Sequence, residues 1–423
     1  MKAEIHSSDI RTIGHSTKTK WFALAFLCCI FVIYTIDRAL LGLLVIPIQR
    51  EIGLSDVKMG ILNAAIFWTY AIFAPFSGLV ADRIDRARLI GIATTLWSLM
   101  ALLSGLASDF WSLLLLVSFA MVVPQTFYAP SANTLIASLH KQTRTLAMSM
   151  HQAAFYFGWL FSGAAVATAL SLWGTWRSAF VLFGSLGIIA GVLFLAFVKK
   201  TEFERHRPVE RLALKESIRA CFGCKSALLA GIGYVAVVFA GCGYCAWGPK
   251  FITMKFNVSA AMAGAGVMFW HYAVSFMAIL IVGAATDALV VHYPRIRLGL
   301  SMFAMAVAIP ALLLFALGKT LAWAFMGSAL LGVSFGAVCA NQFTNLFDVI
   351  RPCFRSAAVG FLNVIAALVG SLAPLLIGWQ SQIRGIKGFE VGFAIVAALM
   401  LVPVAAFAVS FFVTFDTERI VER

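Results

Sequence analysis

The stretch Gly78-Leu-Val-Ala-Asp82-Arg83-Ile-Asp85-Arg86-Ala-Arg88 is a short, highly charged connection between two long apolar runs. Similar runs recur along the whole chain of 423 residues, of which 62% are hydrophobic and only 12% are charged. An ordinary soluble domain carries about a quarter charged residues. A chain this apolar cannot cover its surface with polar groups, so the bilayer must be part of its solvent.

Each apolar run is long enough for a membrane-spanning helix, which needs about twenty mostly apolar residues. We predict twelve such helices, six on each side of the longest polar interruption. The first six cover about 21–47, 55–80, 88–108, 111–139, 145–170 and 177–198. The second six cover about 226–252, 259–284, 297–317, 320–348, 355–379 and 388–413. The predicted fold class is therefore all-α integral membrane, with twelve transmembrane helices in two six-helix bundles.

This pattern divides the chain into five segments. Bundles at 21–198 and 226–413 are joined by a linker at 199–225, and polar tails lie at 1–20 and 414–423. If the N-terminus is cytoplasmic, the cytoplasmic segments carry 23 of the 32 Lys and Arg residues. Positive charge marks the cytoplasmic side. We therefore expect a multi-pass protein of the bacterial inner (plasma) membrane, surrounded by lipid, with both termini in the cytoplasm.

The two halves of the chain repeat each other weakly. Ser55, Gly60, Gly78 and Asp82 in the second predicted helix correspond to Ser259, Gly264, Gly283 and Asp287 in the eighth. Arg144 and Ala147 in the fifth correspond to Arg355 and Ala358 in the eleventh. Parallel six-helix repeats are a transporter design, in which the solute site lies between the halves near the middle of the membrane.

On these residues the sequence resembles the major facilitator superfamily. The Gly78–Arg88 stretch is similar to the family signature G-x-x-x-D-R-x-G-R-R between helices 2 and 3, and departs from it at Asp85 and Ala87. The resemblance covers about 21–413 and implies the major facilitator fold. It also implies a cytoplasmic gate formed by Gly78, Asp82, Arg83 and Arg86, with Asp82 accepting hydrogen bonds near the start of helix 11.

Within the superfamily, the sequence looks most like the anion:cation symporters and the spinster-like carriers. Four stretches carry this resemblance: Tyr34-Thr-Ile-Asp37-Arg38, Ala129-Pro130-Ser-Ala-Asn133, Thr175-Trp176-Arg177 and Trp247-Gly248-Pro249-Lys250. Such symporters often carry Gly-Glu before the second stretch, and that glutamate is implied in proton coupling. Here the pair is Pro124-Gln125, and glutamine cannot titrate. Uniport, or coupling through His151 or His271, therefore stays open.

Asp37 and Arg38 are charged residues well inside a predicted helix. A charge at the bilayer centre costs roughly 2.5–3.5 kcal/mol on insertion scales, so such residues tend to be functional. The planar guanidinium of Arg38 suits a carboxylate or a phosphate, and we predict that it binds an anionic substrate. We predict that Asp37 couples transport to protons. A structural pair that holds helix 1 to its neighbours is the alternative.

Several polar side chains in the predicted helices are candidates for the same cavity, because lipid would not solvate them. Beside Arg38, we predict substrate-binding roles for Tyr34, Gln125, Tyr128, Tyr156, His271, Asn341 and Asn345. Asn341 and Asn345 are four residues apart and share one helix face. A packing role is the alternative for the histidines.

These features favour a secondary active transporter that works as a monomer by alternating access. We expect it to carry a small organic anion, of the carboxylate or sugar-acid class, in symport with protons. Export of lysolipids or amphipathic drug-like compounds is the alternative within transporters, and a solute sensor on the same fold is a second. We expect neither an enzyme nor a nucleic-acid partner, cofactor or metal, since Cys221-x-x-Cys224 is half a zinc site at best.

Overall fold

The computed structural model describes residues 17–81, 84–140, 142–200, 214–351 and 354–420. Within these ranges 12 helices are long and apolar enough to cross a membrane, which confirms the predicted number and class. The first half contains α1 Lys18–Leu43, α2 Asp56–Ser77, α3 Arg86–Ser104, α4 Phe110–Leu139, α5 Leu146–Trp173 and α6 Trp176–Val198. The second half contains α7 Lys225–Phe256, α8 Ala260–Leu289, α9 Ile296–Leu317, α10 Leu321–Phe347, α11 Ala357–Arg384 and α12 Ile386–Glu418. Two shorter helices cover Val45–Ile52 and Leu214–Phe222.

Six predicted helix ends differ from the structure by four or five residues, namely the ends of α1, α3, α7, α8, α11 and α12. α1 ends at Leu43, and a separate amphipathic helix covers Val45–Ile52, where the sequence predicts one helix to 47. Pro47 explains this break, because proline lacks an N–H donor and its ring clashes with the carbonyl four residues earlier. At the other end of the chain, helical structure in α12 continues to Glu418, past the predicted end at 413.

α4 and α11 are interrupted, and a count of apolar residues does not predict these interruptions. α4 contains a π-helix at Leu114–Ala120 and a further turn just after Gln125. α11 is interrupted at Ser371, three residues before Pro374. Pro374 has no N–H, so the Gly370 carbonyl lacks its usual helical donor. Irregular backbone at membrane depth is tolerated only where protein or a cavity surrounds it.

The helices form two bundles with the same internal packing. In the first bundle α1 packs on α5 and α6, α3 packs on α6, and α2 packs on α4. The equivalent helices of the second bundle pair in the same way, with α7 on α11 and α12, α9 on α12, and α8 on α10. The bundles meet along α2 with α11, α5 with α8, and α1 with α7. The helices that carry the sequence repeat are therefore those that form two of these contacts.

The bundles approach most closely on one side of the membrane. We call the side where α1 begins and α12 ends the terminal face, and the other side the opposite face. Near the opposite face, a Cβ atom on Gly163 of α5 would lie 2.4 Å from the Gly264 carbonyl oxygen of α8. A Cβ atom on Gly42 of α1 would lie 2.4 Å from the Cys245 carbonyl oxygen of α7. Small residues allow this backbone contact between helices.

We expect Gly163→Ala to push α5 and α8 apart at the opposite face, because its methyl group would overlap backbone atoms. Overpacking of this kind costs about 1–3 kcal/mol. The measurement is double electron–electron resonance between one spin label on α5 and one on α8, each placed at the end of its helix that lies at the opposite face. The distances between the labels should increase. The matched control is Gly283→Ala on α8, where nothing lies within 4 Å of the added methyl group. An unchanged distance distribution in Gly163→Ala would contradict the argument.

Candidate functional site

A cavity of about 480 Å³ lies between the two bundles. Side chains of α1, α2 and α5 line it from the first half, and side chains of α7, α8, α10 and α11 line it from the second. It extends from His271 in the middle of α8 toward the terminal face, at Phe343 near the end of α10. A cavity between parallel repeats is where transporters of this design bind their solute.

Arg38 gives the cavity its positive charge. Among the described residues that line the cavity, it alone carries a permanent charge. Its guanidinium carbon lies 5.4 Å from the centre of the Phe67 ring, 5.6 Å from Tyr70 and 5.9 Å from Tyr34. These are cation–π distances. The Nη1 atom is buried and makes no hydrogen bond within the described part of the chain. An anionic ligand would supply the partner that this donor lacks.

Asp37 faces away from the cavity, into the first bundle. Neighbouring residues of a helix point about 100° apart, and the Asp37 side chain is fully buried while Arg38 lines the cavity. The carboxyl interacts with the Trp97 indole of α3. Neither of its oxygens makes a hydrogen bond of normal geometry with any described residue. Because it is buried away from the cavity, the carboxyl cannot contact a solute there directly.

The structure places the predicted substrate-binding residues in two groups. Tyr156 and His271 line the cavity together with Arg38. Tyr34, Gln125 and Tyr128 are buried inside the first bundle. The Tyr128 hydroxyl donates to the Leu27 carbonyl at 2.6 Å and contacts His151 Nε2 at 3.0 Å. The second group can therefore act on a solute only through other residues.

The two asparagines of α10 share a face, as predicted, but this face is turned toward other helices. Asn345 donates to the Ser301 hydroxyl of α9 at 3.2 Å, and Asn341 donates to the Ala337 carbonyl at 3.3 Å. Gln342, one residue further along, lines the cavity instead. α10 therefore lines the cavity, but with a different face from the one that carries the two predicted asparagines.

Nine of the 24 residues that line the cavity are Phe, Trp or Tyr, and of these the sequence analysis predicted only Tyr156. Trp159 of α5 stacks on Tyr272 of α8 across the bundle interface, with ring centres 5.1 Å apart and planes at 17°. The spacing of Gln152, Phe155, Tyr156 and Trp159 is typical of one helix face and could have revealed the lining of α5. The other missed lining residues include Phe67, Tyr70, Tyr234, Phe335, Phe343, Asn363, Cys242, Cys245 and Cys339.

A polar network closes the opposite face across the bundle interface. Lys250 of α7 forms an ion pair with Asp56 at the start of α2 and donates to Gln49 at 2.7 Å. Asp56 also accepts hydrogen bonds from Gln49, at 2.7 Å, and from Ser381 of α11. Its backbone N–H donates to Gln382 at 3.0 Å. These five residues, which we call the interface network, join both bundles, so their bonds must break before this face can open.

A second ion pair on the same face lies within the first bundle. Glu51 accepts from Arg177 at 2.8 Å and from the Trp176 indole at 2.6 Å. Arg177 also donates to the Gly105 and Ala107 carbonyls, at 2.8 and 2.6 Å, which follow the end of α3. The hydrogen bond from Arg177 holds the pKa of the Glu51 carboxyl below its usual value. This pair fixes the short helix Val45–Ile52 to the first bundle.

The predicted gate lies at the terminal face and is only partly described. Gly78 belongs to the helix that continues α2 to Ala81, and Arg86 begins α3. Asp82 and Arg83 lie outside the described residues, so the gate stays a prediction. Asp85 caps α3 by accepting a hydrogen bond from the Arg88 backbone N–H at 2.8 Å. The departure from the family signature at this position therefore supplies a helix cap.

The pattern Gly332-Val-Ser-Phe-Gly336 matches the nucleophile elbow of hydrolases, but its setting is different. It lies inside α10 rather than on a turn after a strand. A Cβ atom on Gly332 would lie 2.4 Å from the His271 carbonyl oxygen, and one on Gly336 would lie 2.4 Å from the Ser275 carbonyl oxygen. The two glycines thus let α10 pack closely on α8.

We expect Asp56→Asn to open the opposite face, because it removes the ion pair between the bundles. Hydrogen bonds to charged groups contribute about 1.5–3 kcal/mol, so the open population should rise about tenfold or more. The measurement is the rate at which a membrane-impermeant maleimide, added on the opposite face, labels Cys245 as the sole cysteine. Glu51→Gln is the matched control, since its ion pair lies within one bundle. Equal labelling of Asp56→Asn and the parent would count against the network as a lock.

Comparison with known proteins identifies the family of this fold. Residues 26–374 match the sequence model of the Major Facilitator Superfamily. The chain is 24% identical over 396 residues to the protein spinster of Drosophila melanogaster, covering 89% of this chain and 64% of the relative, so it spans less than two thirds of that protein. It is also 24% identical over 383 residues to an MFS-type efflux pump of Mycolicibacterium smegmatis, covering 87% and 86% of the two chains.

A solved structure shows the same fold. The crystal structure of a bacterial homologue of the human lysosomal transporter spinster, in an inward-facing and unoccupied conformation, superposes with a TM-score of 0.84. The match covers 96% of this chain and 100% of the other at 20% identity. The chain belongs to the Major Facilitator Superfamily and is similar to spinster proteins of that family.

Proposed function

We propose that this transporter carries a small organic anion, of the carboxylate or sugar-acid class, in symport with protons. The observation that carries the proposal is Arg38, a guanidinium in the cavity with a buried N–H group that has no partner among the described residues. A single positive charge matches a single negative charge on the solute. A second negative charge would stay uncompensated in a largely apolar cavity, at a cost of several kcal/mol.

The packing of the bundles supports alternating access. Contacts at the opposite face close the cavity on that side, through Gly42, Gly163 and the interface network. The contacts of α2 with α11 and of α5 with α8 are related by the internal repeat, so rocking of one bundle against the other can exchange closure between the two faces. The two bundles of a single chain are sufficient to form the cavity, so the proposed mechanism needs only a monomer. The charge bias favours a cytoplasmic terminal face in a bacterial inner membrane.

Asp37 is the proposed proton-coupling residue. It is the acidic neighbour of the substrate-binding arginine, its carboxyl is buried, and both oxygens lack hydrogen bonds of normal geometry in the described structure. Gain or loss of a proton there changes the charge next to Arg38 without contact with the solute. His271 lines the cavity and offers a second route for a proton.

Export of amphipathic compounds is the second candidate. It is favoured by the aromatic wall of the cavity, which includes Trp159, Tyr272 and Phe335, and by the similarity to a mycobacterial efflux pump. The two candidates differ in the direction in which the solute moves relative to the protons. Substrate-induced proton uptake by proteoliposomes supports symport, whereas a solute that leaves as protons enter supports export.

We expect Arg38→Ala to abolish high-affinity transport of the anion. Removal of a charge-assisted hydrogen bond costs about 1.5–3 kcal/mol, or roughly a ten- to hundredfold loss of affinity. A screen of sugar acids and monocarboxylates by thermal shift identifies the anion, and counterflow in liposomes measures its exchange. Arg384→Ala is the control, because Arg384 is exposed at the end of α11. Intact counterflow in Arg38→Ala would disprove the assigned site.

Asp37→Asn should separate exchange from accumulation. Asparagine keeps the shape of the side chain but cannot take up a proton, so counterflow should persist while accumulation driven by a pH gradient is lost. Both are measured in the same proteoliposomes. Asp109→Asn serves as the control, since Asp109 caps α4 on the surface and asparagine caps equally well. Accumulation against a gradient by Asp37→Asn would exclude Asp37 as the coupling residue.

A further inference from the structure

One turn of α2, residues Phe67 to Tyr70, connects the arginine of the cavity to the interruption in α11. Phe67 and Tyr70 are three residues apart and share a helix face. Their rings lie 5.4 and 5.6 Å from the Arg38 guanidinium carbon. Trp68 points about 100° away from Phe67, toward the second bundle. Its indole N–H donates to the Ser371 hydroxyl at 2.7 Å.

Ser371 is a fixed point within α11. Its side chain is fully buried, and its hydroxyl donates to the Leu368 carbonyl at 2.5 Å while it accepts from Trp68. It stands at the break between the two helical pieces of α11, where Pro374 removes a backbone donor. Ala366 and Ala367, in the turn before the break, line the cavity. The Trp68 bond thus ties α2 to the irregular part of α11 beside the cavity.

We propose that Trp68 is a positioning residue for Arg38, acting through its bond to Ser371. The bond fixes the rotation of α2 about its own axis and thereby holds the rings of Phe67 and Tyr70 around the guanidinium. An arginine in such a ring of aromatic side chains loses water and points its charge into the cavity. The role of Arg38 in binding an anion rests on the proposed function, whereas the role of Trp68 in positioning the charge does not.

The field of Arg38 can be measured without knowledge of the substrate. Cys242 and Cys339 line the same cavity as Arg38. The probes are two methanethiosulfonate reagents of similar size, one with a negatively charged sulfonate group and one without charge. They are applied to variants in which either Cys242 or Cys339 is the sole cysteine. The ratio of the two reaction rates reports the local potential. The positive potential of a charged cleft raises the local concentration of anions. Arg38→Ala removes that potential and should therefore lower the ratio on the order of fivefold.

Trp68→Phe keeps the ring but removes the indole donor, and Ser371→Ala removes its acceptor. Each should lower the ratio part of the way toward the value of Arg38→Ala. The double variant should lower it no further than either single variant, because both remove the same bond. Ser371→Thr keeps a hydroxyl and should restore the parent ratio. Trp111→Phe is the matched control, since Trp111 is 73% exposed.

The outcomes separate the two proposals. A ratio that falls in Arg38→Ala but not in Trp68→Phe or Ser371→Ala overturns the positioning role and leaves the anion site intact. Additive effects in the double variant, or an equal loss of reactivity toward both reagents, would show general disruption of packing and would also overturn it. A ratio that does not change in Arg38→Ala contradicts the proposed anion site itself.

Discussion

Arg38 carries a full positive charge between two bundles of apolar helices, and the surroundings of the cavity are organised around that charge. Three aromatic rings from α1 and α2 surround the guanidinium. They provide a negative face without a second full charge. A carboxylate in the same place would satisfy the arginine permanently and leave nothing for a ligand to do. Asp37 is next in the chain, yet it points into the bundle.

The architecture around this charge follows from the absence of water. Backbone groups in lipid must bond within their own segment, so the chain forms helices that pack through small residues. The internal repeat gives each bundle the same pairing of helices, and the two equivalent contacts, α2 with α11 and α5 with α8, form the interface. At mid-membrane each contact carries a tryptophan of the first bundle, Trp68 or Trp159. Toward the opposite face both give way to close backbone packing, as at Gly163.

The sequence predicts the features that depend on local composition. Twelve apolar runs and a repeated pattern are enough to predict the fold, and the arginine that the sequence singles out inside α1 lines the cavity. The orientation of a helix about its axis is not local. The polarity of Asn341 and Asn345 predicts that they face the cavity, but packing of α10 on α9 turns them away from it and presents Gln342 instead. Contacts such as Lys250 with Asp56 join residues 194 apart in sequence, and a single sequence holds no signal for them.

The break that Pro47 introduces after α1 has a consequence for how the opposite face works. The short helix Val45–Ile52 presents Glu51 to Arg177 and Gln49 to Asp56, both within the first bundle. We therefore expect this helix to move together with the first bundle when the ion pair between Lys250 and Asp56 breaks. Opening this face would break the bonds of Asp56 to Lys250, Ser381 and Gln382. The hydrogen bond from Gln49 to Asp56 lies within the first bundle, so the carboxylate would keep this donor.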